Sequence, residues 1–592
     1  MTTSRRIRCL RTGVATFALA LAPMSSHAQR QPVEAGHGMV SSVHALASEA
    51  GVEILKKGGN AVDAGIATGL ALAVVFPYAG NLGGGGFMMI HLADGRDIAI
   101  DYRETAPATA SRDMYVGPDG NVLKPGPGSS TLGWTASGIP GSIAGFALAQ
   151  QKYGSGKVSW FDVCEPARRL ADEGHIVTPG TAKSLRETKK FGQFPESKRI
   201  FHAGGTFLGP GELWRQPDLA ATLDRLQKNG PREFYEGETA RLIADAMAKN
   251  GGNITLDDLK NYRAVERTPL RGTYRGYEIV TMPPPSSGGI ALIQMFGMLE
   301  PYDVAKLGYG SAAKYHLFTE VMRRAFRDRA EFLGDPDFVN VPVAGLLDPA
   351  YITGLMKNFD PKKATPSDTL APGNPAGWKP ITQNLSPLAR ANAAESTETT
   401  HYSIVDAVGN AVSNTTTLNG AYGSGVTITG AGFLMNNEMD DFTSKIGVKN
   451  MFGLLQGPAN AIAPGKRPLS SMTPTFVLKG GALVLATGSP GGPTIISTVL
   501  EIISNVLDHG MTAVQAVDAP RYHHQWQPDA LVHNRFSMSP DTAAILTAMG
   551  HNLKEGENLI AGDGETIFID PKTKFRHGAS DLRKPDAKSV GY

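Results

Sequence analysis

The chain has 592 residues, of which 41% are hydrophobic and 19% are charged, and its formal net charge is +2. This composition supplies enough apolar side chains for a large core and excludes a disordered, fibrous or membrane-embedded protein. Only two cysteines are present, so the fold must depend on its core rather than on a framework of disulfides.

Residues 1–28 have the pattern of an export signal. Four arginines precede the apolar run 14–21, and residues 26–28 (Ser-His-Ala) form a small-x-small cleavage site. A general secretory signal fits better than a twin-arginine signal, because Arg8 stands where the latter has an apolar residue. Removal of the signal takes four arginines and no acid, so the charge changes from +2 to −2. A nucleic-acid partner is therefore disfavoured.

Two helices are predicted near the start of the mature protein. Residues 43–57 have helical apolar spacing and end at a Gly-Gly pair, and Asn60 can cap a second helix that runs to Pro77. The second helix is apolar on nearly all sides but only about 16 residues long, which is too short to span a bilayer. We expect it to be a buried core helix.

A glycine-rich loop, residues 81–87 (NLGGGGF), follows these helices. It lacks the lysine of a phosphate-binding P-loop and the strand and long helix of a dinucleotide fingerprint. Tight backbone packing beside a site is the better interpretation. Further on, Arg103 follows a short strand at residues 98–100 and could bind a carboxylate through two parallel hydrogen bonds.

The segment from Asp360 to Glu398 is rich in proline and has no helical or strand period, so it is predicted to be a linker. Strand alternation begins abruptly at Thr399, as if a second polypeptide started there. A turn and a β-branched run follow, which together indicate a hairpin.

The register of this hairpin can be predicted. If Val405 pairs with Ala411 across the loop 406–410, Thr399 lies opposite Thr417 at the open end. Taken alone, such a threonine-rich strand pair is typical of a solvated β face.

Three downstream segments could carry chemistry. Residues 482–486, 488–492 and 494–507 form a strand, a glycine turn and a helix, whose free N–H groups can hold a phosphate or stabilise an oxyanion. Residues 436–442 carry three acids in four residues, which is equally typical of a charged turn in water. Residues 468–474 place two serines between prolines, where the backbone is stiff.

No metal site is predicted. The sequence shows no arrangement of histidine, cysteine and carboxylates at zinc spacing, and the adjacent pair His523-His524 is interpreted as a packed or surface feature.

The motifs together resemble the γ-glutamyltransferases, also called γ-glutamyl transpeptidases, and especially their bacterial periplasmic members. The resemblance runs from about residue 33 to the C-terminus. It rests on eight motifs in family order: NLGGGGF, DYRETAP, TTHYS, TLNGAYG, NNEMDDF, KRPLSSM, GSPGG and RYHHQW. Any one of these could occur by chance, but the ordered set is highly specific.

The resemblance implies an αββα sandwich of the N-terminal-nucleophile hydrolase type, within the broad α/β class. It also implies a precursor that cuts itself between Glu398 and Thr399. The products would be a large subunit, residues 29–398, and a small subunit, residues 399–592, which form one globular heterodimer. The periplasm is the implied location.

The resemblance also implies roles for individual residues. Thr399 would be the nucleophile of both self-cleavage and catalysis, with its own α-amino group as the base. Thr417 would orient this nucleophile, and the N–H groups of Gly491 and Gly492 would hold the oxyanion.

The implied donor is glutathione or another γ-glutamyl compound, and the acceptor is water, an amino acid or a peptide. The α-carboxylate of the donor would bind to three residues, Arg103, Ser470 and Ser471. The α-ammonium would bind to three others, Asn419, Glu438 and Asp441. No cofactor is implied.

Two positions depart from bacterial relatives, Phe452 from many of them and Glu438 from some. Phe452, in the lid segment 444–463, stands where a tyrosine hydroxyl would bond to Asn419, so we expect the lid without its latch. Glu438 replaces a glutamine, which strengthens the case for an ammonium partner.

Two alternatives remain open at this stage. A related acylase for glutaryl side chains, of the cephalosporin acylase kind, is disfavoured because its substrate would leave Asp441 unpaired. An exported binding protein for acidic amino acids would use Arg103 and the acids without any reaction, and it would stay one chain.

Overall fold

Within residues 30–202, 206–379, 399–556 and 562–592, which the computed structural model describes, two seven-stranded antiparallel sheets lie face to face. Sheet 1 contains, in spatial order, β1 (Val33–Ala35), β18 (Arg576–Ser580), β17 (Glu565–Ile569), β13 (Ala482–Thr487), β12 (Thr475–Lys479), β9 (Tyr277–Thr281) and β8 (Leu270–Tyr274). Sheet 2 contains β19 (Lys588–Gly591), β2 (Met39–Ser42), β10 (Thr400–Val405), β11 (Ala411–Thr417), β3 (Gly85–His91), β4 (Asp97–Asp101) and β7 (Val265–Arg267).

The remaining strands and the helices surround these sheets. The short strands are β5 (His175–Ile176), β6 (Leu213–Trp214), β14 (Tyr522–His523), β15 (Leu531–His533) and β16 (Leu553–Glu555). The helices are α1 (Ala45–Lys56), α2 (Ala61–Val75), α3 (Ser142–Tyr153), α4 (Trp160–Asp172), α5 (Pro179–Glu187), α6 (Pro195–Phe201), α7 (Pro217–Asn229), α8 (Glu233–Glu236), α9 (Glu238–Asn250), α10 (Leu256–Asn261), α11 (Gly288–Leu299), α12 (Val304–Leu307), α13 (Ala312–Phe332), α14 (Val343–Leu346), α15 (Pro349–Leu355), α16 (Thr494–Leu507), α17 (Ala513–Asp518) and α18 (Pro540–Ala548).

Strand periodicity divides the interior into three apolar layers. On β3, Phe87 and Met89 belong to the layer between the sheets, whereas Met88 and Ile90 pack with α1 and α2. On sheet 1, Val477 packs toward the layer that contains α11, α13 and α16. Successive side chains of a strand point to opposite faces, so each sheet is apolar on both faces. The result is the expected αββα sandwich.

Helix α2 follows the prediction closely. The Asn60 side chain accepts from the N–H groups of Val62 and Asp63, and the Asp63 carboxylate accepts from the Asn60 N–H. This reciprocal capping fixes the first turn. Every residue of the helix is buried.

The glycine-rich loop serves close packing, as predicted. A side chain at Gly84 would place its Cβ 2.1 Å from the carbonyl oxygen of Thr417. Asn81 reinforces the same junction, because its Nδ2 donates to the Thr417 carbonyl at 2.9 Å. The loop therefore brings β3 against the end of β11.

The predicted hairpin is β10 and β11, and its register is confirmed. Val405 lies opposite Ala411, and Thr400 lies opposite Thr416. The interpretation of this pair as a solvated β face is wrong, because both strands are central in sheet 2 and all their residues are buried.

The linker prediction is wrong for residues 360–379. The Ser367 N–H donates to Asp529 at 2.8 Å, and the Trp378 ring packs edge-on against Phe332 with 5.0 Å between centroids. These partners are distant in sequence, so local composition gave no sign of them. The rest of the linker, with Glu398, and the signal residues 1–28 lie outside the described residues.

The described residues between 32 and 592 form one compact unit. In the described part of the chain, no helix combines the length and the apolar character that crossing a membrane requires.

Candidate active site

One small cavity collects almost all of the predicted site residues. Its lining includes Arg103, Thr399, Thr417, Asn419, Glu438, Asp441, Phe452, Ser470, Ser471 and Gly492. Gly491 precedes Gly492 in the same turn. One further charged residue, Arg329, also lines this cavity, and sequence reasoning did not identify it.

The two threonines meet at the open end of the hairpin. The Thr399 hydroxyl donates to Thr417 Oγ1 at 3.3 Å, and Thr417 Oγ1 also accepts from the Asn419 N–H at 2.8 Å. Thr399 has the same parity as Val405, whose side chain lies in the layer between the sheets. Strand periodicity and register therefore place both hydroxyls on one face.

His401 holds the hairpin against the glycine turn. Its ring nitrogens bond to Thr415 at 2.8 Å and Ser403 at 3.1 Å, and a Cβ at Gly488 would lie 2.2 Å from its ring. Burial lowers the pKa of His401 to about 3, so the ring is neutral at physiological pH. Gly488 begins the turn that ends at α16.

The turn at residues 488–492 requires glycine at two positions. Gly491 and Gly492 have φ values of +126° and +54°, a region that L side chains rarely adopt. A Cβ at Gly492 would also lie 2.8 Å from the Phe452 ring. The Thr494 hydroxyl donates to the Gly491 carbonyl at 2.8 Å and so secures the start of α16.

The charged side chains of the cavity are paired with one another. Arg103 Nη1 lies 2.5 Å from Glu438 Oε1, and Nη2 lies 2.5 Å from Asp441 Oδ2. Its Nε donates to the Pro468 carbonyl at 3.3 Å. The arginine predicted to bind a carboxylate therefore contacts the two acids predicted to bind an ammonium.

Burial changes the protonation of these acids. It raises the pKa of Glu104, the neighbour of Arg103, to about 7, although the arginine charge opposes the shift. Burial also raises the pKa of Glu438 well above its usual range, and the charges of Glu104 and Asp441 add to the shift. Sequence reasoning missed Glu104; its place beside Arg103 in the motif DYRETAP was the available signal.

The two serines are set to donate hydrogen bonds. Ser470 Oγ accepts from the Met472 N–H at 3.1 Å, and Ser471 Oγ accepts from Arg329 Nη2 at 3.2 Å. Ser287 fixes the segment, because its N–H and its hydroxyl both donate to the Ser470 carbonyl. Each serine oxygen already accepts, so its hydroxyl hydrogen can be given to an anion.

Residues that sequence reasoning missed fasten the segment 444–463, which is predicted to be a lid. Asp440 Oδ2 accepts from the Met451 N–H at 2.9 Å, and Met451 Sδ lies 3.8 Å from Asn419 Nδ2. Asn450 Oδ1 accepts from the N–H groups of Phe452 and Leu454, both at 3.1 Å. The lid thus reaches Asn419 through a methionine sulfur in place of a tyrosine hydroxyl.

A separate buried cluster brings His316, Glu320 and His551 together. The two imidazoles bond to each other at 2.7 Å, and the Glu320 carboxylate is ion-paired with Arg323 and Arg324. These contacts already use the ring nitrogens and oxygens that face one another. The cluster joins α13 to the chain after α18 as a hydrogen-bonded core feature.

The chain matches the family model described as gamma-glutamyltranspeptidase over residues 47–591. A curated relative, the glutathione hydrolase proenzyme of Escherichia coli (strain K12), is 46% identical over 563 residues, which cover 95% of this chain and 93% of the relative.

Solved structures agree with the sandwich fold. The cephalosporin acylase from Bacillus halodurans superposes with a TM-score of 0.80 and 26% identity, covering 98% of this chain and 99% of that one. The gamma-glutamyltranspeptidase from Helicobacter pylori is 43% identical with a TM-score of 0.54, covering 56% of this chain and 93% of that one.

Proposed function

The chain belongs to the γ-glutamyltranspeptidase family, and we propose that it is an autoprocessed γ-glutamyltransferase that also acts as a glutathione hydrolase. It cleaves the γ-glutamyl amide bond of glutathione and related donors and transfers the acyl group to water, an amino acid or a peptide. The observation that carries the proposal is the single cavity in which the Thr399–Thr417 pair lies beside the charged cluster around Arg103.

Processing begins with the Thr399 hydroxyl. Its oxygen attacks the carbonyl carbon of Glu398, the peptide bond to the Thr399 nitrogen breaks, and an ester forms. Water then opens the ester, which leaves a carboxylate on Glu398 and a free α-amino group on Thr399. The subunits are residues 29–398 and 399–592.

The mature enzyme uses both groups of Thr399. The α-amino group, whose unperturbed pKa is about 7.7–8.0, takes the hydroxyl proton as the oxygen attacks the γ-carbonyl carbon. The N–H groups of Gly491 and Gly492 stabilise the oxyanion, and one such donor is typically worth about 2.7–4 kcal/mol. The amine leaves with the proton, and the acceptor then attacks the γ-glutamyl ester.

Donor recognition follows from charge. The α-carboxylate binds where Arg103, Ser470 and Ser471 line the cavity, and the hydroxyl hydrogens of the serines are available for it. Asn419, Glu438 and Asp441 bind the α-ammonium.

The alternative is a cephalosporin-type acylase, which the similarity to the Bacillus halodurans enzyme favours. Asp441 alone does not discriminate, because it pairs with Arg103 and is not left unpaired by a glutaryl group. Glu438 and Asp441 together discriminate better, because both line the cavity and both contact the one Arg103 guanidinium. An ammonium adds a second cation beside these two acids, and a glutaryl group does not.

We further propose export to the periplasm, which the signal pattern of residues 1–28 supports. The reaction as written needs no cofactor.

Processing gives the decisive test. Intact-mass measurement of the exported protein is expected to show two fragments, the smaller beginning Thr-Thr-His-Tyr-Ser. Thr399→Ala should give one chain without activity, because it removes the hydroxyl that both reactions use. Thr400→Val is the matched control: the Thr400 Oγ1 is buried and has no hydrogen-bond partner among the described residues, so processing should persist. A single chain of about 60 kDa in an active preparation would refute the proposal; that mass follows from 592 residues less a signal.

A further inference from the structure

Arg329 is a buried cation that has no direct ion-pair partner among the described residues, although the nearby charge of Asp441 acts on it. It lies on α13, is 2% exposed, and lines the cavity that contains Thr399. Its Nε donates to Ser287 Oγ at 2.9 Å and its Nη2 donates to Ser471 Oγ at 3.2 Å. Its Nη1 is buried and has no hydrogen-bond partner among the described residues, and no carboxylate there forms an ion pair with it.

Two other fully buried arginines are compensated by carboxylates. Arg324 pairs with Glu320 at 2.5 Å, and Arg521 pairs with Asp581 at 2.7 Å. An isolated charge in the interior is costly unless it is paired. Burial lowers the pKa of Arg329 to about 10, so it remains charged at neutral pH. The position therefore suits an anion that arrives with the substrate.

Arg103 cannot bind the incoming anion without breaking contacts with its own partners. Both of its terminal nitrogens contact acids, Glu438 and Asp441, and its Nε is bonded to a carbonyl. A donor carboxylate would have to compete with two carboxylates for that guanidinium. The Arg329 guanidinium is hydrogen-bonded to two serines and forms no ion pair with a carboxylate in the described structure; the charge of Asp441 acts on it without such a contact.

We propose that Arg329 is a specificity-determining residue that binds the α-carboxylate of the donor, directly through Nη1 and indirectly through Ser471. This inference rests on the γ-glutamyltransferase function proposed above. Because Ser471 Oγ accepts from Arg329, its hydroxyl hydrogen is directed to the same carboxylate. The two groups hold the anion from adjacent directions by charge-assisted bonds.

Three anilide donors separate the charges of the substrate. The γ-glutamyl donor carries both charges, the glutaryl donor lacks the ammonium, and the 4-aminobutyryl donor lacks the carboxylate. In processed Arg329→Gln enzyme, kcat/KM should fall roughly 10-fold to 100-fold for the first two donors, the range expected for one lost charge-assisted bond. The 4-aminobutyryl donor should change less than about threefold, because it has no carboxylate to lose.

Arg327→Gln is the matched control. Arg327 lies on the same helix but pairs with Glu331 and stacks over the Trp526 ring, and it does not line the cavity. Its loss should leave the ratios between the three donors unchanged. Arg329→Lys keeps a cation without the planar fork, so it should fall between the wild type and Arg329→Gln for the carboxylate donors.

The outcomes are distinct. An equal fall for all three donors would make Arg329 a structural support of Ser471 and would overturn the proposal, as would no fall for the carboxylate donors. If Arg329→Gln is not processed, Arg329→Lys decides, and a wild-type donor ratio in that variant overturns the proposal. Failure of the underlying function would look different, because the wild-type enzyme itself would not turn over the γ-glutamyl donor.

Discussion

The Arg103–Asp441 contact connects the charged side chains of the cavity to residue Asn450. Asp441 Oδ2 meets Arg103 Nη2, and Asp441 Oδ1 accepts from Asn450 Nδ2 at 3.3 Å. The acid thus connects the guanidinium to the lid. An incoming ammonium would join this arrangement as a second cation beside a carboxylate that already serves one.

Asp441→Asn tests whether Asp441 binds the α-ammonium of the donor. The substitution keeps size and deletes charge, and loss of one partner of a desolvated charge pair typically costs about 2–5 kcal/mol. The expected fall in kcat/KM for the γ-glutamyl donor is therefore roughly thirtyfold to several thousandfold. The glutaryl donor should be unaffected or faster, because Arg103 is then freer to meet its carboxylate.

The same measurement can also contradict the proposed role of Asp441. If Asp441→Asn lowered kcat/KM equally for both donors, Asp441 would be a structural residue that holds Arg103 and the lid. The claim that it binds the ammonium would then be withdrawn.

Glu104 should make stability depend on pH. Its pKa is raised by burial from 4.5 to about 7, so between these values the folded protein keeps a proton that the unfolded chain releases. Stability conferred in this way is present below about pH 4.5 and is lost as the pH rises toward 7, by at most about 1.4 kcal/mol per pH unit. Glu104→Gln, which cannot titrate, should lose less stability between pH 5 and pH 7 than the wild type.

Thermal unfolding at several pH values measures this difference directly. The comparison with the wild type is required because other buried acids, such as Asp563, shift in the same direction. Parallel stability curves for the two proteins would mean that Glu104 keeps an ordinary pKa.

Some residue contacts could be predicted from sequence and others could not. The opposition of Thr399 and Thr417 follows from strand period and turn length, which are local. The approach of Arg329 to Ser471 joins residues 142 positions apart and depends on the packing of α13. Its only local signal was the cluster of four arginines in the second half of α13, Arg323, Arg324, Arg327 and Arg329.

At the scale of elements, the predicted lid, residues 444–463, is held by packing and backbone contacts. Phe452 covers the glycine turn, Met451 reaches Asn419, and Asp440 accepts from the lid backbone. No hydroxyl contributes at position 452. We therefore expect a lid that closes without a hydroxyl latch to Asn419.

Phe452→Tyr tests the effect of that missing hydroxyl. A latched lid excludes water longer from the γ-glutamyl ester, so the ratio of transfer to hydrolysis should be higher in the variant than in the wild type. The measurement is product partition at a fixed concentration of an amino-acid acceptor. An unchanged ratio would mean that the Phe452 and Met451 contacts already close the lid fully.

Elements were predicted best where their signals were local. The burial of α2 follows from a run that is apolar on all sides, and its start follows from Asn60. The linker prediction for residues 360–379 failed because the contacts that order this segment are not local. Ser367 is hydrogen-bonded to a residue that is distant in sequence, and Trp378 packs against another. A proline-rich composition indicates only a restricted local backbone and does not predict contacts with residues that are distant in sequence.

At the scale of the whole molecule, the proposed subunits are interleaved. Sheet 2 places β10, β11 and β19 of the small subunit among β2, β3, β4 and β7 of the large one. Sheet 1 places β12, β13, β17 and β18 of the small subunit between β1 on one side and β9 and β8 on the other. Cutting the chain before Thr399 removes one covalent link and leaves every strand pair in place.

The processed fragments should therefore stay together and unfold together. Separating them would break β2 from β10, β3 from β11 and β9 from β12, and would expose the apolar layer between the sheets. Size-exclusion chromatography in increasing denaturant should show both fragments in one peak until β-sheet circular dichroism is lost. A small fragment that elutes alone while the dichroism is still native would show that it folds independently, which this sheet order does not allow.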